Sequence, residues 1–135
     1  MNKVAKLVII DDQNNYLLMY RSEHPRFGID PDLPGGTLEE REIPIEAMLR
    51  EVIEEAGVTI DKSVVKHAYS GSDYSNHGTH YSLFITRLYE RPEVTISWEH
   101  SSFEWLSRKD FLEKAKNAQD TYMHMVHEVL VDKAA

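Results

Sequence analysis

At 135 residues, with 41% hydrophobic and 28% charged side chains, the chain has the size and composition of one globular domain with a core of its own. Twenty-three acidic residues against fifteen Lys and Arg give a formal charge of -8, which argues against a grip on long nucleic acid, whose phosphates call for basic residues. The absence of cysteine excludes disulfides, thiolate nucleophiles and zinc-thiolate sites, and no run of about 18 apolar residues or signal-peptide core is present, so a cytoplasmic location is expected.

Residues 3 to 10 read as a strand, and the polar cluster Asp11-Asp12-Gln13-Asn14-Asn15 as a tight turn into a second strand over 16 to 20, the two forming a hairpin. Residues 21 to 32, with Pro25, Gly28 and Pro31, read as a loop. Within it Asp30-Pro31-Asp32 reads as a turn, because the twelve-residue ligand spacing of a calcium loop is missing. Pro44 suits the first turn of a helix and Gly57 its end, which predicts a helix over residues 44 to 56. Residues 64 to 70 and 79 to 89 are rich in β-branched and aromatic side chains and read as two paired strands. Shorter extended pieces are expected at 94 to 98 and 103 to 106. Ser107-Arg108-Lys109-Asp110 has the side chains of a capping box opening a helix to about residue 117, and a last helix is expected over 121 to 131. No repeat or linker divides the chain, so residues 1 to 135 are read as a single domain.

The first predicted helix carries the chemistry. Glu51, Glu54 and Glu55 stand at i, i+3 and i+4 and share one face, while Ile45, Met48, Leu49, Val52, Ile53 and Ala56 form an apolar arc to bury. Residues 36 to 58 hold seven Glu against two Arg, a local charge of -5. Such a run is ordinarily a solvated face. Here Gly35-Gly36 allow a close backbone approach, and the Arg50 fork can hold a carboxylate such as Glu42 or Glu54. Oxygen-ligated hard cations are the natural compensation for the acidic stripe, Mg²⁺ above all when phosphate oxygens complete its shell.

The full spacing is G-x5-E-x7-R-E-U-x-E-E-x-G-U, with U apolar, from Gly36 to Val58. Seven fixed residues at about one in fifteen each would coincide by chance on the order of once in 10⁸ positions. The run GGTLEEREIPIEAMLREVIEEAGV resembles a complete Nudix box, and the chain resembles a small MutT-like Nudix hydrolase. The resemblance implies an α/β (α+β) fold, an α/β/α sandwich with a mixed central sheet. The implied activity is Mg²⁺- or Mn²⁺-dependent hydrolysis of a nucleoside diphosphate linked to another group. It further implies metal ligation by Gly36, Glu51, Glu54 and Glu55, catalytic duty for the same glutamates, with Glu51 a candidate base, and positioning by Glu42 and Arg50.

Outside the box, MutT-like relatives often place another metal-binding glutamate ahead of a strand carrying a tryptophan. Glu99, six residues before Trp105, matches that placement, with Glu104 as its competitor. Arg21, Arg26, Phe27, Tyr74 and Tyr81 are candidate substrate contacts, the aromatics with Trp98 as stacking surfaces for a base. The seven histidines are expected to be surface or core residues.

For the substrate, the resemblance favours a (deoxy)nucleoside triphosphate or an oxidised nucleotide. Positions 73 and 74 are Asp and Tyr rather than the proline of ADP-ribose pyrophosphatases, while Tyr74 and the Glu99-His100 pair keep a dinucleoside polyphosphate (Ap4A-type) hydrolase as the alternative. A non-catalytic nucleotide sensor on the same scaffold would be expected to lose box glutamates, and none is lost. The expected partner is a small nucleotide, with no nucleic-acid polymer and no membrane, in a monomer or homodimer.

Overall fold

Strand β1 (Lys3–Ile10) lies inside the sheet, and its period-two alternation divides the molecule: Ala5, Leu7 and Ile9 point to one face, Val8 and Ile10 to the other. The computed structural model describes residues 2–22, 29–75 and 77–132. Among them are β2 (Asn15–Arg21), β3 (Pro31–Asp32), β4 (Gly35–Thr37), α1 (Pro44–Ala56), β5 (Val65–Gly71), β6 (His80–Arg87), β7 (His100–Ser107), α2 (Arg108–Lys116) and α3 (Thr121–Asp132). The sheet is mixed. β1 runs parallel to β6, and β6 pairs antiparallel with β5, as does β2 with β7.

The predicted hairpin is real only at its turn. β1 and β2 pair at Ile10↔Tyr16 and then diverge, and the fork between them is filled by β4 against β1 and β3 against β2. Asp30-Pro31-Asp32 is therefore not a free turn: Pro31 and Asp32 pair with Tyr20 and Met19. These two short strands were beyond periodicity, since two or three residues carry no alternation. Residues 94 to 98 also depart from expectation and form no strand. Their backbone donors go to α1 instead, Thr95 N to the Ala56 carbonyl and Ser97 N to that of Glu55.

Helix α1 has the predicted bounds, with Pro44 in its first turn and Gly57 in the left-handed conformation (φ 69°) as its C-cap. It packs Met48, Val52 and Ala56 on the Leu7, Ile9 and Leu17 face. Helices α2 and α3 cover the other face, where Phe111, Tyr122, Met125 and Val126 meet Val8, Tyr16 and Leu18. Each such aliphatic side chain withdrawn from water contributes about 1.5–3 kcal/mol, so both layers are held by burial. Ser107 caps α2 by accepting the Asp110 amide at 3.2 Å, as the capping-box residues predict. The result is the expected α/β/α sandwich. Among the described residues no helix is long and apolar enough to cross a membrane.

Candidate active site

The three box glutamates share one side of α1 but occupy three different environments. Glu54 is exposed, Glu51 is half-buried and Glu55 is only 5% exposed, while Ile53, read as part of the apolar arc, is left 49% exposed. The apolar arc is thus rotated from the sequence reading so that Glu55 enters the fork between β1 and β2. There its carboxylate accepts the Gly35 amide at 3.0 Å. Burial is the main cause of a Glu55 pKa raised to about 7; Lys6 opposes the shift and Asp32 adds to it.

Arg50 organises the exposed side of the same helix. Its guanidinium holds Glu42 at 2.8 and 2.9 Å, Glu51 at 2.6 Å and Glu54 at 3.2 Å. The Arg50 hydrogen bonds bring the Glu42 pKa down to about 2. Glu51 goes the other way, pushed up by desolvation against the pull of Arg50. Its carboxyl lies directly on the Gly36 backbone: a Cβ at position 36 would sit 2.6 Å from it, so glycine there is what lets the carboxyl take this place.

Gly36, Glu51, Glu54 and Glu55 line a cavity of about 650 Å³ that opens between α1, β1 and the loop before β7. The same cavity is lined by Arg21, Tyr81, Tyr122, Trp98 and Glu99, and the segment leading to Trp98 and Glu99 lies against the end of α1 through the bond from Ser97 N to the Glu55 carbonyl. Tyr81 and Tyr122 stack on each other, centroids 5.1 Å apart and planes 8° from parallel. Arg21 bonds Asp120 at 2.9 Å and lies 3.5 Å from Asp32. Beneath them Asp32 is held by Lys6 at 3.1 Å, by His100 at 3.0 Å and by the Tyr122 hydroxyl. Although burial acts in the opposite sense, the Lys6 and Arg21 charges and these hydrogen bonds keep the Asp32 carboxyl well below the usual carboxylate range.

The structure thus brings Gly36, Glu51, Glu54, Glu55, Glu99, Arg21 and Tyr81 to one cavity, with Glu42 and Arg50 behind the glutamates. Glu104 lies elsewhere, opposite Leu18 in the sheet, with its carboxylate on the Tyr20 hydroxyl. Tyr74 packs edge-on against Tyr69 away from the cavity lining. Arg26 and Phe27 lie outside the described residues. Among the described histidines His100 is a core residue, as expected, and it also lines the cavity, with its Nε2 3.0 Å from Asp32. The sequence reading missed Lys6, Asp32 and Tyr122. A lone charge within the apolar run of β1 was a signal for Lys6; nothing local marked Tyr122.

Among the described residues no three acidic or histidine side chains form a ready metal cage. The reason is visible: Arg50 draws Glu51 and Glu54 to itself, while Glu55 is tied to Gly35. In kind the donors fit a hard divalent ion, since all are oxygens and the glycine at position 36 keeps its backbone open beside Glu51.

The family model described as NUDIX domain matches residues 1–126. The chain is 39% identical over 57 residues to an 8-oxo-dGTP diphosphatase from Proteus vulgaris, a match over 42% of this chain and about half (51%) of that protein's length. Its fold is similar to a MutT protein from Methanosarcina mazei Go1 (TM-score 0.73, 24% identity, 99% of this chain and 96% of that one). It is similar also to an Ap4A hydrolase from C. elegans (TM-score 0.72, 21% identity, 97% and 95%). With the box complete in the sequence, folded onto one cavity, and the model matched over nearly the whole chain, this protein belongs to the NUDIX family.

Proposed function

We propose that the protein is a divalent-metal-dependent pyrophosphohydrolase that cleaves a nucleoside diphosphate linked to another group, with a (deoxy)nucleoside triphosphate or its oxidised form as substrate. The observation that carries this reading is the convergence of Glu51, Glu54, Glu55 and Gly36 on one cavity whose lining also holds the aromatic Tyr81, Tyr122 and Trp98 and the cationic Arg21. Acidic residues alone repel a polyphosphate; acidic residues beside a room for a base suit a metal-bridged nucleotide.

Gly36, Glu51, Glu54, Glu55 and Glu99 are the residues that would hold Mg²⁺ or Mn²⁺. When bound, the ions neutralise the diphosphate and orient the attacking water. The remaining duties fall to the chain itself. Arg50 and Glu42 orient Glu51 and Glu54. Glu51, packed on Gly36, is assigned the water's proton as the phosphoanhydride P–O bond breaks and the new P–O bond forms. Tyr81 and Arg21, in the lining of the same cavity, are assigned to the nucleoside end.

The partial match to an 8-oxo-dGTP diphosphatase supports the triphosphate reading. Glu99 and His100 in the cavity lining favour the second reading, a dinucleoside polyphosphate hydrolase. Fold does not separate the two, since MutT and Ap4A hydrolase structures match about equally well. The test is a panel of nucleoside triphosphates, their 8-oxo forms and dinucleoside polyphosphates assayed with Mg²⁺ or Mn²⁺ in ¹⁸O-labelled water, with products identified. Metal-dependent cleavage of a triphosphate to monophosphate and pyrophosphate is expected. Tight binding without turnover of any member would instead make the protein a nucleotide sensor.

A further inference from the structure

Lys6 is a cation in the lining of an acidic cavity, which suggests a contact for substrate phosphate. Its geometry says otherwise. The ammonium donates to Asp32 Oδ1 at 3.1 Å, to the Leu33 carbonyl at 3.1 Å and to the Gly35 carbonyl at 3.3 Å, which uses all three of its protons. Lys6 is 8% exposed, and no direction is left for a ligand.

We propose that Lys6 is a positioning residue for the metal-binding wall, acting through the Gly35–Gly36 backbone. This inference rests on the hydrolase reading above. Three anchors set the backbone at residues 34 and 35. Leu7 N donates to the Pro34 carbonyl at 3.0 Å, and Gly35 N donates to Glu55 Oε1 at 3.0 Å. Lys6 supplies the third by fixing the Gly35 carbonyl, hence the plane of the peptide that leads into Gly36. The first anchor is ordinary strand cohesion. The second and third act on successive peptide units, so beyond the β1–β4 pairing at Ala5↔Gly36 they set how the Gly35–Gly36 backbone meets the glutamates. Asp32 completes the device: it neutralises the buried ammonium and is itself fixed by His100 and the Tyr122 hydroxyl.

A general consequence of such outer contacts is that their loss weakens metal binding by roughly 10- to 100-fold while the ligands remain in place. The test uses the full chain and Mn²⁺ as probe, with affinity read by electron paramagnetic resonance and turnover measured in parallel. Lys6→Met leaves Asp32 buried without its main countercharge, so Lys6→Met with Asp32→Asn is made as the charge-balanced partner. Ala115→Gly, in the opposite core layer, serves as a control of similar destabilisation. The expected result is Mn²⁺ affinity lowered about tenfold or more in the Lys6 variants, kcat lowered with it and KM for nucleotide nearly unchanged, against wild-type Mn²⁺ affinity in the control. A folded Lys6→Met/Asp32→Asn protein that binds Mn²⁺ as tightly as wild type overturns the proposal. Wild-type protein that binds no Mn²⁺ and cleaves no nucleotide overturns the hydrolase reading itself, so the two failures are distinct.

Discussion

The Arg50 guanidinium stands 2.6 Å from the Glu51 carboxylate and 3.2 Å from that of Glu54, one residue and one turn away along α1. One arginine thereby relieves the repulsion between two stacked carboxylates and keeps them facing the same cavity. The acidic stripe persists in the folded chain because its countercharge is built beside it.

Glu54 is the most dispensable of the three for folding, with its side chain 54% exposed and its strongest contact an i,i+4 pair. Glu54→Gln is expected to lower kcat by orders of magnitude while changing unfolding free energy by less than about 0.5 kcal/mol. Near-normal turnover of the folded variant would remove Glu54 from the site.

The adjacent glycines are expected to fail differently. A Cβ at Gly35 would lie 2.1 Å from the Ala5 carbonyl oxygen, at a φ of +135° that side-chain-bearing residues rarely adopt. Gly35→Ala should therefore destabilise the fold, by about 2 kcal/mol or more. At Gly36 the obstacle is the movable end of Glu51, so Gly36→Ala should fold and lose activity by displacing that carboxylate. Thermal melts paired with turnover measurements decide; equal melting temperatures for the two variants would contradict the distinction.

Glu99 lines the cavity and Glu104 is bonded to Tyr20 in the sheet. Glu99→Gln is expected to raise the metal concentration needed for half-maximal activity severalfold, and Glu104→Gln to leave it unchanged. Reversal of that ranking in a Mg²⁺ titration would exchange the two residues.

Asp11 and Asp32 both have pKa values lowered below 3.8, despite the contrary push of burial. Backbone amides of Asn15 and Gln13 with Arg91 hold Asp11, and Lys6 leads the groups that hold Asp32. Because the folded-state values are the lower ones, their stabilisation is complete above the unfolded value and disappears as pH falls through the folded ones. Urea unfolding should show a decline beginning below about pH 4, and Asp11→Asn should flatten that acid limb. An unchanged limb would mean that Asp11 contributes nothing to it.

Local chemistry alone defined α1 to the residue. Pro44, a 3.6-residue repeat of apolar side chains and Gly57 act within a few residues of one another, and the box spacing is a property of that same short segment. Strand β1 and the capped start of α2 were legible for the same reason.

Tertiary structure decided what no short window holds. Periodicity placed three glutamates on one face but could not say that Glu55 would be buried against Gly35 while Ile53 remained exposed, since the rotation of α1 is set by packing against β1 and β4. Nor could it join Lys6 to Asp32, 26 residues away, or Tyr122 to Asp32, 90 residues away. Those contacts arise where β1 and β2 splay and the chain returns through the gap. The charges on this one segment determined which chemistry was needed, and the fork in the sheet determined which distant side chains would hold it in place.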